Sequence, residues 1–235
     1  MDLKKHFFFA SVFIMILLLS SFAHLRNDRR YVKKMSISFK SEVPRFLNDS
    51  LVNKLLIQNK GELPWKAKDS LVLNMLEALL EKNSYVDNAE VFHFQQGILG
   101  VSIQEKTAVV RVQSSDPYYL DKSGDYFPLS KNYTPKVPLF MGTLKEAQKH
   151  RLLSLIDQFN ADPFLRDELA SIHYRSGSYF VGLRSYGFEV ELGTLGRMSE
   201  KLSKLKVFCA YLNNHPVKRT YTLINLKFKN QVVGS

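Results

Sequence analysis

Apolar residues fall along this chain in several distinct rhythms, and each rhythm predicts a different kind of element. The first is an uninterrupted run. Phe7–Ala23 carries no charged residue, and its apolar character extends to Leu25 across His24. As a helix, residues 7–25 would span about 28 Å, close to the ~30 Å hydrocarbon core of a bilayer. The run therefore predicts a single membrane-spanning helix over 7–25 that includes Phe7, Ile14, Leu18 and Ala23. A cleaved signal peptide is the competing reading, with Lys4 and Lys5 as its basic region and Ser21-Phe22-Ala23 as a small-x-small site. The run exceeds the roughly 7–15 residues of a signal core, which favours the anchor.

Beyond residue 34 the rhythm changes. Met35–Lys40 alternates Ile37 and Phe39 with polar residues, a short half-buried strand. Asn48, Asp49 and Ser50 supply cap chemistry for a helix carrying Leu51, Val52, Leu55 and Leu56 and ending before Gly61. After a break at Leu63-Pro64-Trp65, Asp69 or Ser70 opens a second helix. Its Val72, Met75, Leu76, Leu79 and Leu80 recur at helical spacing and predict a core-facing stripe. Strands follow at Ala89–Gln95 and Ile98–Gln104, joined by a turn at Gln96-Gly97. The order strand, helix, helix, strand, strand describes a small α+β unit.

Past Glu105 strands and turns dominate. Strands are expected at Val109–Gln113, Tyr118–Asp121 and Tyr126–Leu129, with a punctuated apolar run at Val137–Gly142. A helix over Lys145–Phe159 carries Leu152, Leu155, Ile156 and Phe159 on one side, and Asp162-Pro163 opens a shorter one through Leu169. Three strands come next, Ser171–Arg175, Tyr179–Arg184 and Phe188–Leu192, the last with Glu189 and Glu191 turned outward. The helix Met198–Leu212 then leads to a closing strand, Tyr221–Lys229. There Thr222, Ile224, Leu226 and Phe228 share one face, and Asn225, Lys227 and Lys229 share the other. The second unit is thus mostly β, with helices packed on its sheet.

The net charge of +11 changes the picture less than its size suggests. Lys4, Lys5, Arg26, Arg29, Arg30, Lys33 and Lys34, against Asp2 and Asp28, place five of those charges in the first 34 residues. Basic residues beside an apolar run face anionic lipid head groups more naturally than nucleic acid. The remainder is spread along the chain with acids interleaved, which argues against a nucleic-acid partner. Charge leaves the orientation open: more positive residues follow the run than precede it, yet long domains cross membranes largely regardless of charge.

A catalytic site is not legible. The single cysteine, Cys209, lies on a helical face with Leu202, Leu205 and Leu212 and reads as a small buried side chain. Six histidines (His6, His24, His93, His150, His173, His215) are scattered without metal-ligand spacing. No nucleophile elbow, phosphate loop or dinucleotide fingerprint occurs. Gly193-Thr194-Leu195-Gly196 reads as a strand-to-helix turn. No catalytic residue, cofactor, metal or small-molecule substrate is expected.

Several segments in this order resemble the FtsQ/DivIB family of bacterial division proteins. Tyr85–Val91 is similar to the segment leading into the family's second POTRA strand, and Leu99–Lys106 resembles its L-x-V-x-V-x-E-R run, with Thr107 where proline is usual. Tyr119–Gly124 with Phe127 and Pro128 resembles a YLVDxxGxxF hairpin lacking one residue, and Val137–Gly142 an LPxxxG run. Val190–Gly193 followed by Glu200-Lys201-Leu202 resembles VxLG…xKL, and Ile224–Val233 a closing hDLRYxNxVAV strand with Asn225 and Phe228 replacing Asp and Tyr.

The resemblance implies a cytoplasmic tail over 1–6, a membrane helix over 7–25 and a basic juxtamembrane linker over 26–34. A POTRA domain over 35–107 and an FtsQ-type β domain over 108–235 would follow. It implies a non-enzymatic scaffold at the division septum of the inner membrane, with the bulk extracytoplasmic. Its partners would be FtsB and FtsL, FtsB joining the closing strand by strand addition at Leu226, Lys227, Phe228, Lys229, Asn230, Gln231, Val232 and Val233. An outer strand with no later element over it exposes the unpaired backbone groups such docking needs. The sequence leaves Phe228 open between core and interface. Another membrane-anchored POTRA scaffold and an anchored extracytoplasmic enzyme are the rival readings.

Overall fold

The structure is a computed structural model describing residues 3–28, 32, 34–41, 46–58, 70–94, 97–215 and 220–235. The break at Leu63-Pro64-Trp65, the cap candidate Asp69, Gln96 of the turn, and the basic residues Arg29, Arg30 and Lys33 lie outside the described residues. The chain divides into two compact units, Met1–Glu105 and Lys106–Ser235.

The apolar run forms α1 (Leu3–Asp28). Its stretch His6–Ala23 is long and apolar enough to cross a membrane, and none of it is buried against the protein. Phe7, Ile14 and Leu18 are all exposed. Among the described residues nothing covers this stretch, and a helix apolar all round is compatible with a single membrane span.

The rest of the first unit runs β1 (Lys34–Phe39), α2 (Asp49–Gln58), α3 (Ser70–Glu81), β2 (Val86–Phe94) and β3 (Ile98–Glu105). Asn48 caps α2 by accepting from the Leu51 N–H at 2.8 Å. β2 and β3 form an antiparallel hairpin, and β1 lies parallel to β3 with Lys34 opposite Ile98, giving the order β1-β3-β2. Parallel strands need a long crossover between them, and the α2–α3 pair supplies it. Val52, Leu56, Leu76, Leu80, Val91, Leu99, Val101 and Ile103 form the core, joined by Val32 just ahead of β1. The α3 stripe differs from expectation at one position, since Met75 is half exposed while Leu73 packs inward. Leu76 and Leu80 set the centre of the buried face, and at 100° per residue Met75 falls on its margin.

The second unit holds one nine-stranded sheet of β4 (Val110–Gln113), β5 (Tyr118–Leu120), β6 (Tyr126–Pro128), β7 (Leu139–Met141), β8 (Leu169–Arg175), β9 (Ser178–Leu183), β10 (Glu189–Gly193), β11 (Leu223–Asn225) and β12 (Val233–Gly234). Their order is β12-β11-β10-β9-β8-β7-β4-β5-β6. The helices α4 (Glu146–Asn160), α5 (Pro163–Glu168) and α6 (Met198–Asn214) pack on one face. Leu152, Leu155, Ile156 and Phe159 of α4 and Leu202, Leu205 and Cys209 of α6 meet Val112, Phe140, Ile172, Val181, Val190 and Ile224 there. Asp162 caps α5 by accepting from the Leu165 N–H, with Pro163 in the first turn. Lys206 of α6 pairs with the same carboxylate, holding Asp162 below the ordinary carboxylate range.

Two expectations are corrected in this unit. The closing strand does not run from Tyr221 to Lys229: β11 stops at Asn225, residues 226–232 turn, and the chain returns antiparallel as β12. Asn230, in the left-handed region at φ 58°, makes the reversal. Glu191 does not lie on an open strand face either. It is 8% exposed, accepting from the Asn225 Nδ2 at 2.7 Å and pairing with Lys227 Nζ at 2.7 Å.

Candidate partner-docking edge

A sheet edge that leaves backbone N–H and C=O groups unpaired can accept a strand from another chain. Each unit presents two outer strands, and their chemistry differs. On β2, the Val91 N–H donates to Glu77 Oε1 at 2.7 Å and the Ala89 N–H to Glu81 Oε1 at 3.4 Å. Two carboxylates from α3 thus occupy two of the outward donors that a partner strand would need. β1 opens on the exposed Lys34, a charge at the edge that discourages pairing, while Lys40 just past its end pairs with Glu90 Oε1 at 2.8 Å. β6 ends in Pro128, which has no N–H to offer. β12, of Val233 and Gly234, carries none of these devices.

The register of β12 fixes which groups point out. Ser235 and Leu223 exchange both bonds, Ser235 N to Leu223 O at 3.0 Å and Leu223 N to Ser235 O at 3.2 Å. Val233 lies opposite Asn225 two residues earlier. Backbone groups alternate along an antiparallel strand, so Val233 and Ser235 face β11, and Val232 and Gly234 turn theirs outward. Gly234 suits this position because a Cβ would come within 2.6 Å of the Tyr221 ring. That ring packs at 5.5 Å on Phe208, which packs at 5.8 Å on Phe188.

The turn before β12 is fastened by α6. Lys204 Nζ donates to the Phe228 carbonyl at 2.6 Å and to the Gln231 carbonyl at 3.4 Å. Arg197 Nη2 donates to the Lys227 carbonyl at 3.2 Å, and Glu200 Oε1 accepts from the Asn230 N–H at 3.4 Å. Charge-assisted bonds of this kind contribute more than neutral ones, about 1.5–3 kcal/mol when shielded and less at an exposed turn. They set the position of an edge strand only two residues long.

The fastened turn presents the residues expected from sequence to bind a partner. Leu226 is fully buried and belongs to the core. Lys227 pairs with Glu191, and Asn230 is tied to Glu200. Phe228 is 50% exposed and Val233 45% exposed, which takes Phe228 out of the core. Lys229 is exposed on the turn, and Gln231 and Val232 line a groove of about 480 Å³ with Lys204, Val207, Phe208 and Tyr211 of α6. Val207 and Tyr211 are largely exposed, so the wall that α6 gives the groove is apolar and open. Sequence reading did not reach Val207 and Tyr211. Their spacing of four was the available signal, since it marks one face of α6 distinct from the buried one.

The titratable residues do not converge. Cys209 is buried, and burial pushes its thiol up to about 11, where it carries almost no thiolate at neutral pH. His173 Nε2 lies 4.0 Å from Glu189 Oε1, beside the Arg175–Glu189 pair on the sheet face away from the helices. His93 Nε2 is buried in the other unit. Among the described residues, no group of three His, Cys, Asp or Glu side chains is placed to hold a metal ion.

Residues 107–235, more than half of the chain, match the family model described as FtsQ/DivIB, C-terminal related. No curated protein matches the chain.

Proposed function

The chain belongs to the FtsQ/DivIB family, and from that premise we propose that it is a non-catalytic scaffold of cell division, anchored by α1, whose β12 edge captures a strand of a division partner. The reading takes unit 1 beyond α1 as a POTRA domain, supported by its β-α-α-β-β order and parallel β1–β3 pair. It takes residues 108–235 as the FtsQ-type β domain. The bulk lies outside the cytoplasm at the septum, with FtsB and FtsL as partners, and strand addition by FtsB is the docking mode.

One observation carries the docking mode: among the described outer strands, β12 is the one without a carboxylate cap, a terminal proline or a lysine in the strand, and it is held in place by Arg197, Glu200 and Lys204. A partner strand would bond to the outward groups of Val232 and Gly234. Phe228, Val233 and the α6 groove would take its side chains. Strand addition gives affinity through the main chain and specificity through alternate side chains, so the edge needs no reactive group.

The test uses the full-length chain in detergent with FtsB as the captured partner. Val232→Pro removes an outward N–H and leaves the inward bonds of Val233 and Ser235 in place. Phe228→Asp places a charge on the exposed apolar surface. Each should weaken capture by roughly tenfold or more, about 1.4 kcal/mol, with thermal stability nearly unchanged. Unaltered capture by both variants would falsify the edge as the docking site. Normal septation in depleted cells would remove the division role itself.

A further inference from the structure

We propose that the end of the small sheet nearest α1 is a membrane foot, on which Phe92, Phe94 and Ile98 with Lys34 rest against an anionic lipid leaflet. The inference rests on α1 being a membrane anchor. In β2, Val91 points into the core, so Phe92 and Phe94 lie off that buried register, at the margin and outer side of the sheet. Their rings meet edge to face at 4.9 Å, and they are 37% and 49% exposed. Phe92 has a local role, since a Cβ on Gly100 would come within 2.4 Å of its ring, so the ring covers that glycine. Phe94 lies two residues further toward the hairpin tip and has no glycine to cover.

The register places this patch at one end of the sheet. Phe94 pairs with Ile98, Ile98 pairs with Lys34, and the Lys34 N–H donates to the Gly97 carbonyl at 3.4 Å. Lys34 begins β1, and Val32 is already buried in the core at 4% exposure. The apolar stretch of α1 ends at Ala23 and the helix at Asp28. Helical rise to Asp28 and a fully extended chain to Val32 allow at most about 22 Å between the hydrocarbon boundary and the core of this unit. Head groups occupy roughly the first 5–8 Å of that. The aromatic end of the sheet is therefore tethered within a short reach of the lipid surface.

Charge supplies the partner's chemistry. Between Ala23 and Met35 the sequence carries Arg26, Arg29, Arg30, Lys33 and Lys34 against Asp28 alone. Basic residues beside exposed aromatic and aliphatic side chains are the composition that binds an anionic interface, with the rings entering the head-group boundary. A leaflet is also the one surface that the tether holds in reach at every moment.

The test places a single tryptophan at each of three positions in a Trp65→Phe background: Leu18→Trp, Phe94→Trp and Gln104→Trp. Gln104 is exposed near the far end of β3. Each full-length chain is reconstituted into phosphatidylcholine vesicles with about one-quarter phosphatidylglycerol and brominated acyl chains. Fluorescence quenching in the Leu18→Trp chain reports insertion of α1. The expected result is quenching in Phe94→Trp at least about twofold above that in Gln104→Trp, reduced when Lys34→Glu is added. Quenching in Leu18→Trp, with Phe94→Trp no more quenched than Gln104→Trp, would overturn the foot while leaving the anchor intact. A Phe94→Trp indole that stays unquenched in lipid and becomes shielded only when a protein partner is added would overturn it too. An unquenched Leu18→Trp chain would overturn both readings.

Discussion

Gly234→Ala adds one methyl group at the sheet edge, and the structure says where it must go. The new Cβ would sit 2.6 and 2.7 Å from two ring carbons of Tyr221 and 3.1 Å from Ile224 Cδ1. Moving the ring has a cost, because it packs edge to face on Phe208, which packs in turn on Phe188. Overpacking of this kind costs about 1–3 kcal/mol. Against it stand three backbone bonds at the end of the chain: Ser235 N to Leu223 O, and Leu223 N and Thr222 N to Ser235 O. At about 0.5–1.5 kcal/mol each, they contribute a similar amount. The clash is thus comparable to what these three bonds contribute, so the end of the strand from Gly234 onward should detach locally without unfolding the unit. Hydrogen exchange reads this directly: a loss of about 2 kcal/mol would speed exchange of the Leu223 and Ser235 amides roughly thirtyfold. Under the proposed docking mode, FtsB capture should fall in parallel. A double-mutant cycle isolates the cause. With Tyr221→Ala, the cost of Gly234→Ala should drop below about 0.5 kcal/mol. Unchanged protection in Gly234→Ala, or additive costs in the cycle, would refute the account of the edge.

Three further outcomes follow from other contacts. Glu77→Ala with Glu81→Ala uncovers the Val91 and Ala89 N–H groups of β2; the variant should lose about 1–2 kcal/mol and self-associate with rising concentration, and a strictly monomeric variant by light scattering would count against edge capping. Cys209, with its thiol at about 11, should resist alkylation at neutral pH in the native state and react on unfolding, which a timed iodoacetamide series with mass spectrometry measures. Asp162 is held below the ordinary carboxylate range by its hydrogen bonds from Lys206 and the Leu165 N–H. Its contribution is present above that range and is lost as pH falls through it, so wild type should lose stability relative to Asp162→Asn on acidification below about pH 4, as read by melting at stepped pH.

Elements whose signal is local were legible from the residues alone. An uncharged apolar run, helical spacing at Leu76 and Leu80 or Leu152 and Phe159, and alternation at Leu99, Val101 and Ile103 each state their own periodicity, because burial of one face requires it. The family resemblance was legible for the same reason, being carried by short ordered motifs. The closing segment departs from its local pattern at its end. Thr222, Ile224, Leu226 and Phe228 alternate like a strand, and nothing local announces that the chain turns at Asn230. Long-range contacts set that turn, because it is stabilised by Arg197, Glu200 and Lys204, some 24 to 30 residues earlier in the chain. The same holds for Glu191, whose burial depends on Asn225 and Lys227 arriving from a distant strand, and for the carboxylates that close β2. Periodicity reports which face of an element is buried. Which edge of a sheet stays open depends on side chains reaching across from other elements, and those contacts exist only once the chain has folded.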